Sequence, residues 1–232
     1  MKLEIKGLQK TSLIDYPPYT SCVVFLAGCD FRCPFCQNPD LILNPEKLET
    51  VKQEDFLEFL KKRKKWLDAV CISGGEPTLY EDLPEFIKKI KDLGYKVKID
   101  TNGNNPNAIE ELINKKLIDY VAMDIKAPLD KYSKAANAKV DIENIKESVS
   151  IIKNSGVDYE FRMTSIPTLH DKDDFEKIGQ WLKGAKAFFL QQFRNKICLD
   201  KSFEKITPFS KDDLKEFKGI LDKYIAKVEI RE

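Results

Sequence analysis

Residues 22–36 read CVVFLAGCDFRCPFC, a continuous apolar run followed closely by three cysteines. The apolar run has the length and composition of a strand that a parallel sheet buries on both faces. Because Cys29, Cys33 and Cys36 follow it within eight residues, one short loop can turn all three thiols towards a single metal centre. Three thiolates complete three corners of an iron–sulfur cube and leave the fourth iron without a protein ligand. The spacing therefore predicts a metal centre at which chemistry takes place.

Five further apolar runs follow, and helical patterns separate them. The six predicted strands are residues 22–27, 69–73, 95–100, 120–125, 159–164 and 187–191. Alternation of strands and helices is typical of an α/β fold with a parallel sheet and right-handed crossovers. Six strand–helix units suit either an open doubly wound sheet or an incomplete barrel with outer helices, and periodicity alone does not choose between them.

Punctuation residues mark where the predicted helices begin and end. Thr50–Gln53 forms a capping-box pattern before one helix, and Asn105-Pro106 opens another. Gly94 ends an apolar stripe in the way a left-handed helix cap does. A last helix is predicted to begin at Ser210, so residues 195–232 are expected to form a C-terminal helix and tail.

Composition narrows the class of protein. The chain has 232 residues and a formal net charge of +1, so bulk charge gives no reason to expect nucleic acid or membrane as a partner. The first ten residues hold no apolar stretch of signal-peptide length, and the longest apolar run, 22–28, is too short to cross a bilayer. We therefore expect a cytoplasmic protein, in which six cysteines favour metal binding or thiol chemistry over disulfides. Outside the triplet, Cys22, Cys71 and Cys198 are interpreted as small buried hydrophobic residues.

Glycines and polar residues follow all six predicted strands. In either architecture ligands collect at the carboxyl edge of the sheet. Gly74 and Gly75 let the backbone approach a ligand closely, and Glu76 beside them can accept hydrogen bonds from a cationic amine, which suits an amino acid ligand. The segments at the six strand ends are the cysteine loop, Ser73–Pro77, Asp100–Gly103, Asp124–Lys126, Arg162–Thr164 and Gln191–Arg194.

Together with the Gly-Gly-Glu-Pro of residues 74–77, the cysteine triplet resembles the signature of the radical S-adenosylmethionine (radical SAM) superfamily. The resemblance covers nearly the whole chain, because that superfamily uses a partial barrel of six strand–helix units with the cysteine loop after the first strand. It implies a partial (βα)6 barrel of the TIM type and a single domain over residues 1–232. Within that domain, residues 1–21 would be an N-terminal extension, 22–194 the six-unit core, and 195–232 the C-terminal helix and tail.

A narrower resemblance lies in residues 7–17, GLQKTSLIDYP, and residues 31–39, FRCPFCQNP. Both are similar to the activating proteins of glycyl radical enzymes, most of all to those of anaerobic ribonucleoside-triphosphate reductase and next to those of pyruvate formate-lyase. Gln37 stands where many of these proteins have His, and Pro18 follows Asp15-Tyr16-Pro17 at a position where they often have Gly. The resemblance implies an anaerobic oxidoreductase that acts on a large partner enzyme and receives its electron from a flavodoxin- or ferredoxin-type donor.

The resemblance also implies roles for individual residues. Cys29, Cys33 and Cys36 would bind a [4Fe–4S] cluster whose open iron takes the amino and carboxylate groups of S-adenosylmethionine. Reductive cleavage of this sulfonium would give a 5′-deoxyadenosyl radical, which would abstract a hydrogen atom from a backbone glycine of the partner. The other implied contacts are Gly74, Gly75 and Glu76 at the amino group, Asp100, Thr101, Asp124 and Lys126 near the carboxylate with a monovalent cation, Arg162 and Thr164 by the ribose, and Gln192 by the sugar or adenine edge.

Other interpretations of the cysteines stay open. Cys33 and Cys36 alone form a C-x-x-C pair of the thiol oxidoreductase kind, although Cys29 is superfluous to that function. A zinc site needs a fourth ligand, and the single histidine, His170, is interpreted as a surface or cap residue before a helix. An iron–sulfur carrier without catalysis lacks a fourth cysteine near the triplet. A radical enzyme for a small molecule, similar to carboxydeazaguanine synthase, would require a closed pocket over the cofactor.

Overall fold

Within residues 2–231, which the computed structural model describes, eight β-strands form a sheet whose spatial order is the order of the chain. Neighbouring strands run parallel from the second to the fourth and from the sixth to the eighth, so the predicted α/β class with a mostly parallel sheet is confirmed. The strands are β1 (Ile5–Ser12), β2 (Ser21–Leu26), β3 (Ala69–Gly74), β4 (Lys96–Thr101), β5 (Tyr120–Asp124), β6 (Asp158–Ser165), β7 (Phe188–Gln192) and β8 (Val228–Arg231).

Helices follow most of the strands, as the alternating pattern predicts. In the described part of the chain, no helix is long and apolar enough to cross a membrane. The α-helices are α1 (Pro39–Leu43), α2 (Gln53–Arg63), α3 (Leu83–Asp92), α4 (Pro106–Asn114), α5 (Tyr132–Ala136), α6 (Ile142–Asn154), α7 (Lys172–Trp181) and α8 (Lys211–Leu221).

The chain divides into two compact units, and each is described by itself. The first unit contains β1 to β4, α1 to α4 and the chain as far as Val121. The second unit starts at Ala122, contains β6 to β8 and α5 to α8, and also includes the short segments 31–37 and 102–104. The organisation into a single radical SAM domain stays a prediction.

In the first unit, parallel pairing of β2 with β3 produces a strongly buried centre. Cys22 lies opposite Val70 and Val24 opposite Ile72, and all four side chains are buried. Burial on both faces explains why these strands read as continuous apolar runs instead of alternating ones. Helices α2 and α3 contact each other through Phe56 and Phe86, whose ring centroids are 5.8 Å apart.

In the second unit, β6, β7 and β8 pair in parallel and continue the apolar core. Phe161 lies opposite Phe188, and α8 packs against β7 and β8. Those two helices contact each other through Phe175 and Phe217, whose rings stack with centroids 4.0 Å apart. Burial of such large aromatic side chains stabilises this unit.

Helix ends agree with most of the predicted punctuation. Gly94 follows α3 with φ +78°, a left-handed conformation that glycine adopts without strain. Asn105 caps α4, because its side chain accepts a hydrogen bond from the amide of Ala108. The capping box predicted over Thr50–Gln53 is wrong, since the N-cap of α2 is Lys52 and makes no side-chain cap bond.

Two edge strands were not predicted. The first, β1, pairs antiparallel with β2 and lies in the predicted N-terminal extension, and its middle residues are largely exposed. The second, β8, lies in the region for which a helix and tail were expected. Both strands are short or half-exposed, so their sequences lack the continuous apolar run that marks a buried strand.

Candidate active site

The three cysteines of the predicted metal centre are divided between the two units. Cys29 belongs to the first unit, whereas Cys33 and Cys36 belong to the second. All three are reduced cysteines outside any disulfide. Within residues 2–231 no three His, Cys, Asp or Glu side chains are gathered as ligands of a metal ion. The fit of a cluster is therefore judged from the chemistry of the donors and from their local surroundings.

The part of the cysteine loop in the second unit is held by its backbone. The amide of Cys36 donates to the carbonyl of Cys33 over 3.0 Å, which closes a tight turn. Leu199 donates to the Cys36 carbonyl at 3.0 Å, and Asp200 donates to the Pro34 carbonyl at 2.9 Å. These bonds fix the loop without using either thiol.

The thiol of Cys33 is buried in apolar surroundings. Phe31 and Phe35 of the same loop are buried as well. Burial raises the pKa of Cys33 to about 11, although the nearby ammonium of Lys126 acts in the opposite direction. A metal must therefore supply the charge that stabilises the thiolate. Three cysteine thiols in one short loop, with Phe31 and Phe35 buried beside them, are the donor set that suits iron–sulfur ligation, so the residues fit the implied cluster.

Beside Cys29 in the first unit, the glycine pair at the end of β3 forms a close backbone contact with the start of the cysteine loop. The amide of Glu76 donates to the carbonyl of Gly28 at 2.8 Å. A Cβ placed on Gly75 would lie 1.8 Å from that same carbonyl oxygen, so a side chain is excluded there. Gly74 has φ +124°, a conformation that favours glycine. Both glycines are thus required by geometry, as the close approach predicted from sequence implies.

The carboxylate of Glu76 is almost completely buried and firmly oriented. Its Oε1 accepts hydrogen bonds from the Thr78 amide at 3.0 Å, the Thr78 hydroxyl at 2.6 Å and the Thr101 hydroxyl at 2.9 Å. The structure therefore brings together Glu76 and Thr101, two residues that the resemblance assigns to the same substrate. An oriented, buried carboxylate is suited to bind a cationic amine.

Asp100 has a cationic neighbour that sequence reasoning did not identify. The ammonium of Lys98 lies 3.3 Å from Oδ1 of Asp100 and also donates to the carbonyl of Asp15 at 2.5 Å. Lys98 is 3% exposed, which is rare for lysine. Residues two apart in a strand share a face, so the spacing of Lys98 and Asp100 was the available signal.

In the second unit, Asp124 at the end of β5 holds two cations. Arg162 donates from Nε to Oδ1 at 2.8 Å, and Lys126 lies 3.2 Å from Oδ2. Burial alone would raise the pKa of Asp124, but the charges of Arg162 and Lys126 hold it at about 2. The pKa of Lys126 is raised in turn by Asp124, against the effect of its own burial. The structure therefore joins three of the predicted substrate-binding residues in one ionic network.

His170 contacts this network through the backbone. One ring nitrogen, Nε2, lies 2.8 Å from the carbonyl of Lys126, and Nδ1 accepts from the amide of Ile166 at 3.0 Å. The ring is 3% exposed, so the interpretation of His170 as a surface residue is wrong. Burial lowers its pKa to about 4. The helix predicted after it does begin there, with Asp171 as the N-cap.

The two remaining predicted residues lie on neighbouring strands of the second unit. Thr164 is half-buried and lies two residues beyond Arg162 in β6, which puts both on one face of the strand. Gln192 ends β7, and its side-chain amide donates to the carbonyl of Phe209 at 3.0 Å. Outside the triplet, Cys22, Cys71 and Cys198 are buried, as predicted.

The sequence places this fold and these residues in a known family. Residues 23–182 match the Radical SAM superfamily, and the chain belongs to that superfamily. Membership implies a [4Fe–4S] cluster and S-adenosylmethionine as cofactors.

Two curated relatives narrow the class. A protein of Methanocaldococcus jannaschii, provisionally named a glycyl-radical enzyme activating enzyme, is 39% identical over 237 residues, which are 100% of this chain and 97% of that protein. The pyruvate formate-lyase-activating enzyme of Clostridium pasteurianum is 31% identical over 188 residues, 78% of this chain and 77% of that protein. Both relatives support an enzyme of the glycyl-radical activating type. The resemblance to this family that the sequence motifs indicated is therefore confirmed.

Solved structures similar to this chain have low sequence identity to it, so they support its fold and not its function. Streptococcus suis SuiB bound to S-adenosylmethionine has a TM-score of 0.69 at 17% identity, over 88% of this chain and 48% of SuiB. This chain thus spans about half the length of SuiB. Escherichia coli QueE has a TM-score of 0.60 at 15% identity, over 100% of this chain and 94% of QueE. The partial barrel of radical SAM enzymes is therefore the fold of this chain.

Proposed function

We propose that this radical SAM chain installs a glycyl radical on anaerobic ribonucleoside-triphosphate reductase. The observation that carries the activating function is the similarity to the M. jannaschii protein, which extends over 100% of this chain. The choice of reductase rests on residues 7–17 and 31–39, whose motifs resemble the activating proteins of that enzyme.

Cys29, Cys33 and Cys36 are proposed to hold the [4Fe–4S] cluster. When bound, the cluster and S-adenosylmethionine supply the one-electron chemistry that produces a hydrogen-abstracting radical. The chain's own task at the cluster is to bind it and exclude water, and the buried Phe31 and Phe35 suit the second task.

The first unit is proposed to bind the amino group of S-adenosylmethionine. Gly74 and Gly75 leave room for backbone contact, and Glu76 supplies the negative charge. The hydrogen bonds of Thr78 and Thr101 to Glu76 fix the carboxylate before the substrate arrives. Such preorganisation lowers the entropy that binding must overcome.

The second unit is proposed to bind the carboxylate and the ribose. Lys126 is the cation for the carboxylate, and Asp124 fixes its position over 3.2 Å. Arg162 and Thr164 share a face of β6 and are proposed to lie by the ribose, with Gln192 by the sugar or the adenine edge.

The monovalent cation implied by the resemblance is the part of the proposal that the residues do not fit. Asp100 already lies 3.3 Å from the ammonium of Lys98. Asp124 is paired with both Arg162 and Lys126. Because each carboxylate has a cationic partner within the chain, we do not propose a resident ion at either of them.

A small redox protein of the flavodoxin or ferredoxin type is proposed as the electron donor, because the cluster requires one electron at a time. The cytoplasm is proposed as the compartment, since free thiols and an oxygen-sensitive cluster persist in reducing surroundings.

The activating function can be tested with anaerobically reconstituted protein, a reductant and S-adenosylmethionine. Release of 5′-deoxyadenosine is expected, and addition of the reductase from the same source should give a glycyl radical doublet in the electron paramagnetic resonance spectrum. Cys33→Ala should abolish both signals. The matched control is Cys198→Ala, which removes a buried thiol outside the triplet and should retain both. Equal 5′-deoxyadenosine release by the two variants would exclude the catalytic proposal.

A radical enzyme that acts on a small molecule is the second candidate. The 7-carboxy-7-deazaguanine synthase of Aquifex aeolicus is 34% identical to this chain, but over only 36% of it. Partial coverage supports the shared radical SAM machinery more than a shared substrate. Release of 5′-deoxyadenosine without a glycyl radical on either the reductase or pyruvate formate-lyase would favour this candidate.

A further inference from the structure

We infer that the ammonium group of Lys98 replaces a monovalent metal cation beside Asp100, so that binding of S-adenosylmethionine does not depend on Na⁺ or K⁺. This inference rests on the proposed function for the identity of the substrate. It concerns residues of the first unit only.

The ammonium of Lys98 is held by three groups. It donates to the carbonyl of Asp15 at 2.5 Å and lies 3.3 Å from Oδ1 of Asp100. The ring of Tyr120 faces it with the centroid 5.7 Å away, which is a cation–π distance. The carbonyl of Asp15 accepts a hydrogen bond from the ammonium, the carboxylate of Asp100 attracts it by charge, and the ring of Tyr120 attracts it through its π face.

The carbonyl that accepts from Lys98 is itself fixed by local structure. The side chain of Ser12 donates to the carboxylate of Asp15, and the hydroxyl of Ser12 accepts from the amides of Ile14 and Asp15 at 3.2 Å. Tyr16 is buried and contacts Tyr19 with centroids 5.1 Å apart. This turn belongs to residues 7–17, one of the two segments that resemble the activating proteins. We infer that the turn serves to position the ammonium of Lys98.

Charge and burial explain why a metal ion is disfavoured at Asp100. The side chain of Lys98 is 4% exposed and that of Asp100 is 17% exposed, so their attraction is only weakly screened by solvent. A second cation at the same carboxylate would be repelled by the ammonium over a similarly short distance. Because the ammonium is covalently attached to β4, it cannot exchange with the solvent as a metal ion does.

The test is the dissociation constant of S-adenosylmethionine for the cluster-containing protein, measured by equilibrium dialysis in NaCl, KCl and tetramethylammonium chloride. Equal ionic strength keeps general screening constant. We expect the three constants of the wild-type protein to agree within about threefold, because a fixed internal cation needs no substitute from solution. A larger weakening in tetramethylammonium, which is too large to enter a carboxylate site, would overturn the inference.

Substitution of the lysine gives the reciprocal test. In Lys98→Met we expect binding of S-adenosylmethionine to weaken at least about tenfold in tetramethylammonium and to recover in NaCl or KCl, because the variant lacks the ammonium charge beside Asp100 and a metal ion can replace that charge. Binding by this variant that is the same in all three salts would contradict the inference. The wild-type series needs no substitution and decides the question if Lys98→Met does not fold.

The proposed function and this inference fail differently. If wild-type protein binds no S-adenosylmethionine in any salt, the proposed function is wrong. The role of Lys98 is then tested by thermal unfolding of the protein in the absence of S-adenosylmethionine. Melting temperatures in the three salts are expected to agree within about 2 °C, and selective stabilisation by Na⁺ or K⁺ would overturn the role of Lys98.

Discussion

Arg162 donates from Nε to Oδ1 of Asp124 over 2.8 Å and thereby joins β6 to the end of β5. The Lys126 ammonium occupies the other oxygen at 3.2 Å, and Ile125 donates from its amide to the Arg162 carbonyl at 2.7 Å. Opposite charges at both oxygens keep Asp124 ionised throughout the physiological pH range, with its pKa at about 2. The side chain of Lys126 is consequently oriented before any substrate binds.

Removal of the Arg162 guanidinium should show how much the Asp124 network contributes to the stability of the folded protein. For Arg162→Met we expect the free energy of unfolding to fall by about 3 kcal/mol, because a partly buried carboxylate loses its main partner. Binding of S-adenosylmethionine should weaken as well. Urea unfolding of the anaerobic protein and equilibrium dialysis measure the two effects.

The matched control is Lys172→Met. Lys172 pairs with Glu216 on the exposed surface between α7 and α8, where solvent screens the charges, so its loss should leave the free energy of unfolding nearly unchanged. Equal costs for Arg162→Met and Lys172→Met would contradict the structural importance of the Asp124 network.

The close approach at Gly75 predicts a large effect of a single methyl group. In Gly75→Ala the added Cβ would lie 1.8 Å from the Gly28 carbonyl oxygen, so one of the two backbone segments must move. We expect a loss of stability above about 3 kcal/mol and lower iron content after reconstitution, because Gly28 adjoins Cys29. Iron analysis and thermal unfolding measure both.

Gly219→Ala serves as the control for Gly75→Ala. A Cβ on Gly219 meets nothing within 4 Å, and the residue lies inside α8. The substitution should therefore stabilise the protein by about 0.5–1 kcal/mol through helix propensity. Loss of iron from Gly219→Ala as well would show that the assay reports general damage and not the contact at Gly28.

The six central strands and the cysteine loop were predictable because each has a local signal. A strand buried on both faces must be apolar throughout, and three closely spaced thiols need only a short loop. The edge strands β1 and β8 lack such a signal, because an exposed edge tolerates polar residues such as Gln9 and Glu229. These two segments form strands because a neighbouring strand of the sheet offers backbone hydrogen bonds, which their own sequences do not indicate.

Long-range contacts explain the rest of what was missed. The ring of His170 is buried, and its Nε2 forms a hydrogen bond with the carbonyl of Lys126, 44 residues earlier in the chain. Nothing in the acidic sequence after His170 indicates that partner. Lys98 is similar, because its burial depends on the carbonyl of Asp15, 83 residues earlier. The alternation of Lys98 with Asp100 indicated a shared strand face but not that the face is buried.

The oriented carboxylate of Glu76 predicts a separation of substrate binding from cluster binding. In Glu76→Ala, affinity for S-adenosylmethionine should fall by about tenfold or more, since a buried charge partner of the amino group is lost. Iron content should stay at the wild-type level, because Glu76 is not one of the proposed ligands. Equilibrium dialysis and iron analysis on one preparation give both values.

Glu111→Ala is a suitable comparison for Glu76→Ala. Glu111 lies on α4 and forms an exposed pair with Lys115, so neither affinity nor iron content should change. Should Glu76→Ala bind S-adenosylmethionine as tightly as Glu111→Ala does, the assignment of the amino-group site would be wrong.

The buried imidazole of His170 predicts a pH dependence of stability. Its pKa is lowered from 6.5 to about 4 in the folded protein, chiefly by burial, so the unfolded chain holds more protons between these values. The contribution of neutral His170 is fully present above pH 6.5 and is lost progressively as the pH falls towards 4. At pH 5 the loss amounts to about 2 kcal/mol in the free energy of unfolding.

Comparison with His170→Gln isolates this contribution from the titration of carboxylates. Glutamine retains a donor and an acceptor but does not titrate, so the difference in unfolding free energy between the two proteins should change by about 2 kcal/mol from pH 8 to pH 5. Parallel curves over that range would contradict the buried, neutral ring. Because the chain has a single histidine, its imidazole resonances need no assignment, and their titration midpoint should lie near 4 instead of 6.5. A midpoint near 6.5 would mean that the ring is solvated, and the hydrogen bond to the Lys126 carbonyl could then not position that residue.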